Sequence, residues 1–195
     1  MINPSEISQA LKPVTSTLDR LGVPYYIGGS IASSAYGLAR STLDVDMISN
    51  LTTRHIDELV SSLKGQYYIS REQVEDAINR TSSFNLIHLE TGLKIDIFIG
   101  KNRPYDRAVS QRIREETLTD NSEAPKFYIA SPEDVVLAKL QWFKLGDCSS
   151  EKQWNDIVGV LRVQEKVLDM KYLQKWAKEL KILDLLEKVL TERYL

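Results

Sequence analysis

The chain has 195 residues, 43% hydrophobic and 27% charged, with 25 Lys and Arg against 27 Asp and Glu for a formal net charge of −2. That is enough chain for one or two domains with a core of their own, and no overall basic excess marks a general nucleic-acid binder. A single cysteine, Cys148, allows no internal disulfide, no apolar run approaches the ~20 residues of a membrane span, and no signal-peptide pattern opens the sequence, so a cytoplasmic protein with no membrane partner is expected.

Ile7, Leu11, Val14 and Leu18 recur at helical spacing and predict a first helix over 5–21, stopped by Gly22. Pro13 inside it predicts a kink or a later start. Residues 24–27 form a short apolar run that ends at Gly28-Gly29, followed by small helix-tolerant residues over 30–36. Residues 43–47 alternate as a strand. Thr52 or Thr53 then caps a helix to about residue 63, with Ile56, Leu59, Val60 and Leu63 as its buried stripe. A strand over 66–69 and a short helix over 71–79, capped by Ser70, come next. Residues 84–89 and 93–99 flank the turn Glu90-Thr91-Gly92 and predict a β-hairpin, hence a mixed sheet of four or five strands.

Residues 101–118 are amphiphilic and locally basic through Lys101, Arg103, Arg107, Arg112 and Arg114, while 119–125 are polar and aperiodic and predict a linker. Residues 127–129 add an edge strand. From Ser131 every signal is helical. Ser131-Pro132-Glu133-Asp134 supplies a cap, a proline at the first helical position and acids in the first turn, and further helices follow over about 150–163, 169–181 and 183–194. The expected layout is an α/β domain over 1–125 and a helical domain over 126–195.

Residues 27–46 carry the densest chemistry. A strand that stops at two glycines and hands over to a helix near Ser30 presents that helix's first N–H groups and the positive end of its dipole to an anion. Glycine at 28 and 29 lets a phosphate approach the backbone, although a plain strand-to-helix turn uses the same residues. Alternation then puts Asp44 and Asp46 on one face of the next strand, a costly pairing that a divalent cation relieves. Asp96 lies on a later alternating strand and shares its face with Lys94. It reads either as a third metal ligand or as the partner of Lys94, which would neutralise the site when metal is absent.

The Gly-Gly-Ser turn, the Asp-x-Asp pair after a helix and the lone Asp on a later strand together resemble the nucleotidyltransferase superfamily, most of all the abortive-infection (AbiEii-like) type and its stand-alone bacterial relatives. The resemblance covers residues 24–99 and parts of 131–161. It implies an α/β (α+β) mixed sheet flanked by helices and followed by a C-terminal helical bundle. It also implies that Gly28, Gly29 and Ser30 hold the triphosphate of a nucleotide. Asp44, Asp46 and Asp96 are then the catalytic acids and the ligands of two Mg2+ ions, and one of them activates the attacking hydroxyl. Arg40 reaches a phosphate or bridges to Asp44.

Relatives also carry a lysine near the triphosphate on the helix that here holds Lys139. Four apolar helix neighbours, Val135, Val136, Trp142 and Phe143, surround that lysine. A charge so placed either snorkels to water or meets an anion. Asp156 on the next helix matches an acid that relatives often carry beside an arginine; this chain has Asn155 there, and Lys152 is a surface partner for Asp156 at four residues.

The other chemical residues have bland readings. His55 is expected at the surface of a first turn, His88 in a strand and Cys148 in a loop. Trp142, Trp154 and Trp176 are expected in the core. Lys171, Lys175 and Lys178 form a helical stripe that is solvated or touches an RNA backbone.

The expected activity is therefore a magnesium-dependent nucleotidyltransferase that moves a nucleoside monophosphate from ATP or another nucleoside triphosphate to an acceptor hydroxyl. The acceptor is a tRNA, a protein or a small molecule such as an aminoglycoside. Alternatives are the toxin of a toxin–antitoxin pair, with an antitoxin partner, and a nucleotide-binding module without turnover.

Overall fold

In the computed structural model, which describes residues 4–39, 42, 44–118 and 124–192, the chain forms two units. One comprises Met1–Gly28 and Ser41–Ile129, the other Gly29–Arg40 and Ala130–Leu195. The first unit is built on helix α1 (Pro4–Arg20) and strand β1 (Tyr25–Ile27). After β2 (Asp44–Ser49), a 3-10 turn (Thr53–His55) leads into α3 (Ile56–Leu63). Then come β3 (Tyr67–Tyr68), α4 (Arg71–Arg80), the hairpin β4 (Ser83–His88) and β5 (Lys94–Ile99), α5 (Pro104–Ser110), β6 (Arg114–Thr117) and β7 (Lys126–Ile129). Helix α2 (Gly29–Tyr36) belongs to the second unit, with α6 (Pro132–Leu145), α7 (Glu151–Val163), α8 (Met170–Glu179) and α9 (Leu183–Glu192).

The seven strands form one mixed sheet in the order β3-β4-β5-β2-β1-β7-β6. β2 pairs parallel with β5, β1 parallel with β7, and the remaining neighbours are antiparallel. Alternation assigns Val45, Met47, Leu86, Ile95 and Ile97 to a fully buried face. Helix α1 runs through Pro13 rather than starting after it. The proline costs the helix about 3 kcal/mol. The stripe Ile7, Ala10, Leu11, Val14 and Leu18 is 0–7% exposed, and each large apolar side chain so buried returns about 1.5–3 kcal/mol. The Tyr67 hydroxyl donates to the Ala10 carbonyl at 2.7 Å and ties α1 to the end strand β3.

The sheet is larger than the sequence pattern suggests. β6 reads Arg-Glu-Glu-Thr, which has no apolar alternation, because it is an exposed end strand paired on one side only. Its pairing makes β7 an internal strand, and β7 belongs to the sheet unit. Residues 119–123 of the expected linker and 193–194 of the last expected helix lie outside the described residues.

In the helical unit, α2 packs against α6 and α7. A Cβ on Gly37 would stand 2.9 Å from the Ser33 carbonyl oxygen and 2.9 Å from the Val160 amide nitrogen, so glycine permits this close approach. The α6 cap is as expected: Ser131 Oγ accepts from the Asp134 amide at 3.2 Å. The Asp134 carboxylate accepts in turn from the Ser131 hydroxyl at 2.6 Å and the Tyr172 hydroxyl at 2.8 Å, and Glu133 accepts from the Asp169 amide at 2.8 Å. These bonds fasten the start of α8 to the start of α6. No helix among the described residues is long and apolar enough to cross a membrane.

Candidate active site

β1 delivers the glycine turn to the edge of β2. The Gly28 amide donates to the Asp46 carbonyl at 2.9 Å, which sets the first glycine beside the second aspartate. A Cβ on Gly28 would lie 3.3 Å from Ile48 Cδ1. Gly29, the first residue of α2, has φ +54°, a left-handed conformation that costs glycine nothing. The Ser30 carbonyl accepts from the Ser33 hydroxyl at 3.1 Å within the first turn.

The acids come from β2 and β5. On β2, Asp44 and Asp46 are half-buried and alternate with buried Val45, Met47 and Ser49. On β5, Asp96 is half-buried between buried Ile95 and Ile97. The parallel register sets Asp44 level with Lys94 and Asp46 level with Asp96. Level residues in neighbouring strands project from the same face, and the strands are about 4.7–4.9 Å apart. Three carboxylates and one ammonium group therefore share one small area of the sheet. The hairpin brings Asn85 level with Asp96 from β4.

Asp44 and Asp96 each meet a neighbouring side chain in this area. The Thr42 hydroxyl donates to Asp44 Oδ1 at 2.7 Å. Lys94 Nζ rests on Asp96 Oδ2 at 2.7 Å, with the two side chains 46% and 20% exposed. The hydrogen bond to Asp96 raises the Lys94 pKa above the ordinary lysine value; partial burial opposes this, and the charges of Asp96, Asp44 and Asp46 add to it. Among the described residues, no three acidic, histidine or cysteine side chains converge closely enough to hold a metal ion. The donor set nevertheless fits a hard divalent cation: it is all carboxylate and held on one face by the register of two central strands.

Lys139 lies in the helical unit, where its Nζ donates to Asp156 Oδ2 at 2.8 Å and Gln153 Oε1 at 3.1 Å. Both members of the pair are buried. Asp156 thus meets Lys139 across helices. Arg40, the other cation expected near phosphate, lies outside the described residues, as does Leu43.

Three contributors went unremarked in the sequence: Thr42 as the donor to Asp44, Asn85 beside Asp96, and Asp156 as the counter-ion of Lys139. Asn85 was accessible in principle, since the hairpin turn fixes its register. The other two depend on side-chain geometry.

His55 corrects an expectation, being buried and not on the surface. Arg54 Nε lies 2.9 Å from His55 Nε2 and can only donate. On the other side of the ring, His55 Nδ1 accepts from the Thr52 amide at 3.1 Å and lies 3.1 Å from Thr52 Oγ1. Burial, then the Arg54 charge, pushes the His55 pKa below its ordinary value. Trp142 is a second correction: it is 56% exposed, whereas Trp176 is buried. His88 is a buried strand residue, Cys148 an exposed loop thiol, and Lys171, Lys175 and Lys178 are exposed.

No protein-family model matches the chain, and no curated protein sequence matches it. Solved structures do. An antigenic nucleotidyltransferase-like protein from Paracoccidioides brasiliensis is 19% identical, with 96% of this chain and 93% of that one covered at a TM-score of 0.56. The antibiotic-resistance factor ANT(2'')-Ia in solution is 13% identical, with 98% and 95% covered at a TM-score of 0.54. The same factor crystallised with adenylyl-2''-tobramycin is 13% identical, with 89% and 96% covered at 0.56. At such identities the likeness is one of fold, and the fold of this chain is that of the nucleotidyltransferases.

Proposed function

We propose that the chain is a nucleotidyltransferase that uses a nucleoside triphosphate donor and a divalent cation, with Mg2+ the natural choice. The observation that carries the reading is the register of β2 and β5: it sets Asp44, Asp46 and Asp96 on one face, beside a turn whose Gly28 amide is bonded to the Asp46 carbonyl. Three acids gathered on a half-buried face repel one another, the single charge of Lys94 offsets only part of that repulsion, and a bound divalent cation would offset the rest.

In this reading the triphosphate lies against the turn Gly28-Gly29-Ser30. The backbone amides at the start of α2 donate to its oxygens, and the missing Cβ atoms admit it. Asp44, Asp46 and Asp96 would hold the cation, which when bound neutralises charge on the departing pyrophosphate and lowers the pKa of the acceptor hydroxyl. Asp96 accepts the proton of that hydroxyl as its oxygen bonds to the α-phosphorus and the bond to the pyrophosphate oxygen breaks. The rest of the rate comes from orientation and charge placement.

The acceptor proposed for first trial is a small hydroxylated molecule. The crystal structure of ANT(2'')-Ia with adenylyl-2''-tobramycin supports that choice at the level of shared fold. The test is pyrophosphate release from each of the four nucleoside triphosphates with Mg2+, in the presence of an aminoglycoside panel or of bulk tRNA. Release that needs both Mg2+ and one acceptor class is the expected result. Nucleotide binding with no release from any mixture would overturn the catalytic reading.

A further inference from the structure

Lys94 is a cation set directly among the three proposed metal ligands. It stands level with Asp44 across the β2–β5 ladder and two residues before Asp96 on its own strand, and its ammonium group rests on Asp96 Oδ2 at 2.7 Å. We infer that Lys94 is a built-in counter-ion that competes with the divalent cation for the carboxylate face, so that metal loading and release of the Lys94–Asp96 pair are one coupled event. The inference rests on the metal reading proposed above.

The physical reasons are local. Without a cation, Asp46 and Asp96 sit one strand spacing apart with Asp44 beside them, and their repulsion opposes folding. Lys94 relieves it by delivering a single positive charge from the same face. Its side chain is 46% exposed, so the ammonium group returns to water at little cost when displaced. A divalent ion cannot share the face with that ammonium unopposed, because the two repel and both draw on Asp96. The protein thus holds its acids partly neutralised until metal arrives, and its metal affinity is lower than three carboxylates alone would give. By linkage, metal binding weakens the Lys94–Asp96 pair by the same factor by which the pair weakens metal binding.

The experiment is Mn2+ binding to the whole chain, read from the electron paramagnetic resonance signal of free Mn2+, with no nucleotide present. K94M, with K94Q as a second neutral variant, is expected to bind Mn2+ about tenfold more tightly than the parent. K94R keeps the charge and is expected to bind like the parent. Without metal, K94M should melt below the parent, and saturating Mn2+ should raise its melting temperature by more. Equal or weaker Mn2+ binding by both neutral variants, while D44N still weakens it, would overturn the counter-ion role and leave the metal site standing. Absence of Mn2+ binding from parent and neutral variants alike would overturn the metal site and this inference with it.

Discussion

Lys139 on α6 and Asp156 on α7 form an ion pair at 2.8 Å, with their side chains only 4% and 6% exposed. Four apolar helix neighbours flank the lysine, and the counter-charge arrives from the facing helix. A buried pair of this kind is weak evidence for net stabilisation, since desolvating two charges offsets most of their attraction. Breaking it is another matter.

The first prediction follows from that asymmetry. K139M leaves the buried Asp156 carboxylate without its lysine counter-charge, so it should destabilise the protein by about 3–5 kcal/mol in urea denaturation. The double variant K139M/D156L should recover most of the loss, because it removes both charges. A single variant as stable as the parent would show that Asp156 reaches water or another donor.

D44N and D46N should each lower nucleotide transfer by about 10²-fold or more, the scale of losing one group that meets developing charge. Neither should lower the melting temperature without metal. In D44N the amide oxygen can still accept from the Thr42 hydroxyl that now meets Asp44 at 2.7 Å, and in D46N a neutral side chain relieves repulsion with Asp96. The check is a transfer assay beside thermal melts with and without Mg2+. Loss of transfer through unfolding alone would remove support from the metal assignment.

Gly29→Val meets two obstacles. The φ of +54° at Gly29 costs a β-branched residue about 1–2 kcal/mol or more, and the new side chain occupies the space where the phosphate is proposed to lie. Gly29→Asn tolerates the left-handed backbone and separates the two effects. Titration calorimetry with a non-hydrolysable triphosphate should show affinity lost strongly in both variants, with stability lost mainly in the valine one. Unchanged affinity in the asparagine variant would move the nucleotide elsewhere.

His55 predicts an acid limb in the stability curve. Its pKa is depressed in the fold, first by burial and then by the guanidinium of Arg54, from an ordinary value of 6.5. The unfolded chain therefore binds the proton more readily. The contribution of neutral His55 is fully present above pH 6.5 and is lost as pH falls from there through the depressed value. Chemical denaturation at stepped pH should show stability falling as pH drops below 6.5 in the parent and a shallower fall in H55N.

Local pattern determined much of this protein. Alternation placed Asp44 and Asp46 on one strand face and Asp96 on another, Ser131 and Pro132 announced α6, and Glu90-Thr91-Gly92 announced the β4–β5 hairpin, since caps, turns and strand periodicity depend on residues a few positions apart. Only the tertiary structure decided how those pieces meet. β6 has no apolar alternation because an exposed end strand buries little, so its pairing with β7 was invisible until the sheet assembled. The parallel register of β2 and β5 sets Lys94 level with Asp44 and Asp46 level with Asp96, and those positions lie 50 residues apart with intervening helices that encode no register. Asp156 could be named as an acid on a helix, but whether it faced water or Lys139 depended on which side of α7 packs against α6. That choice is made by the burial of the whole helical unit and not by any few residues along the chain.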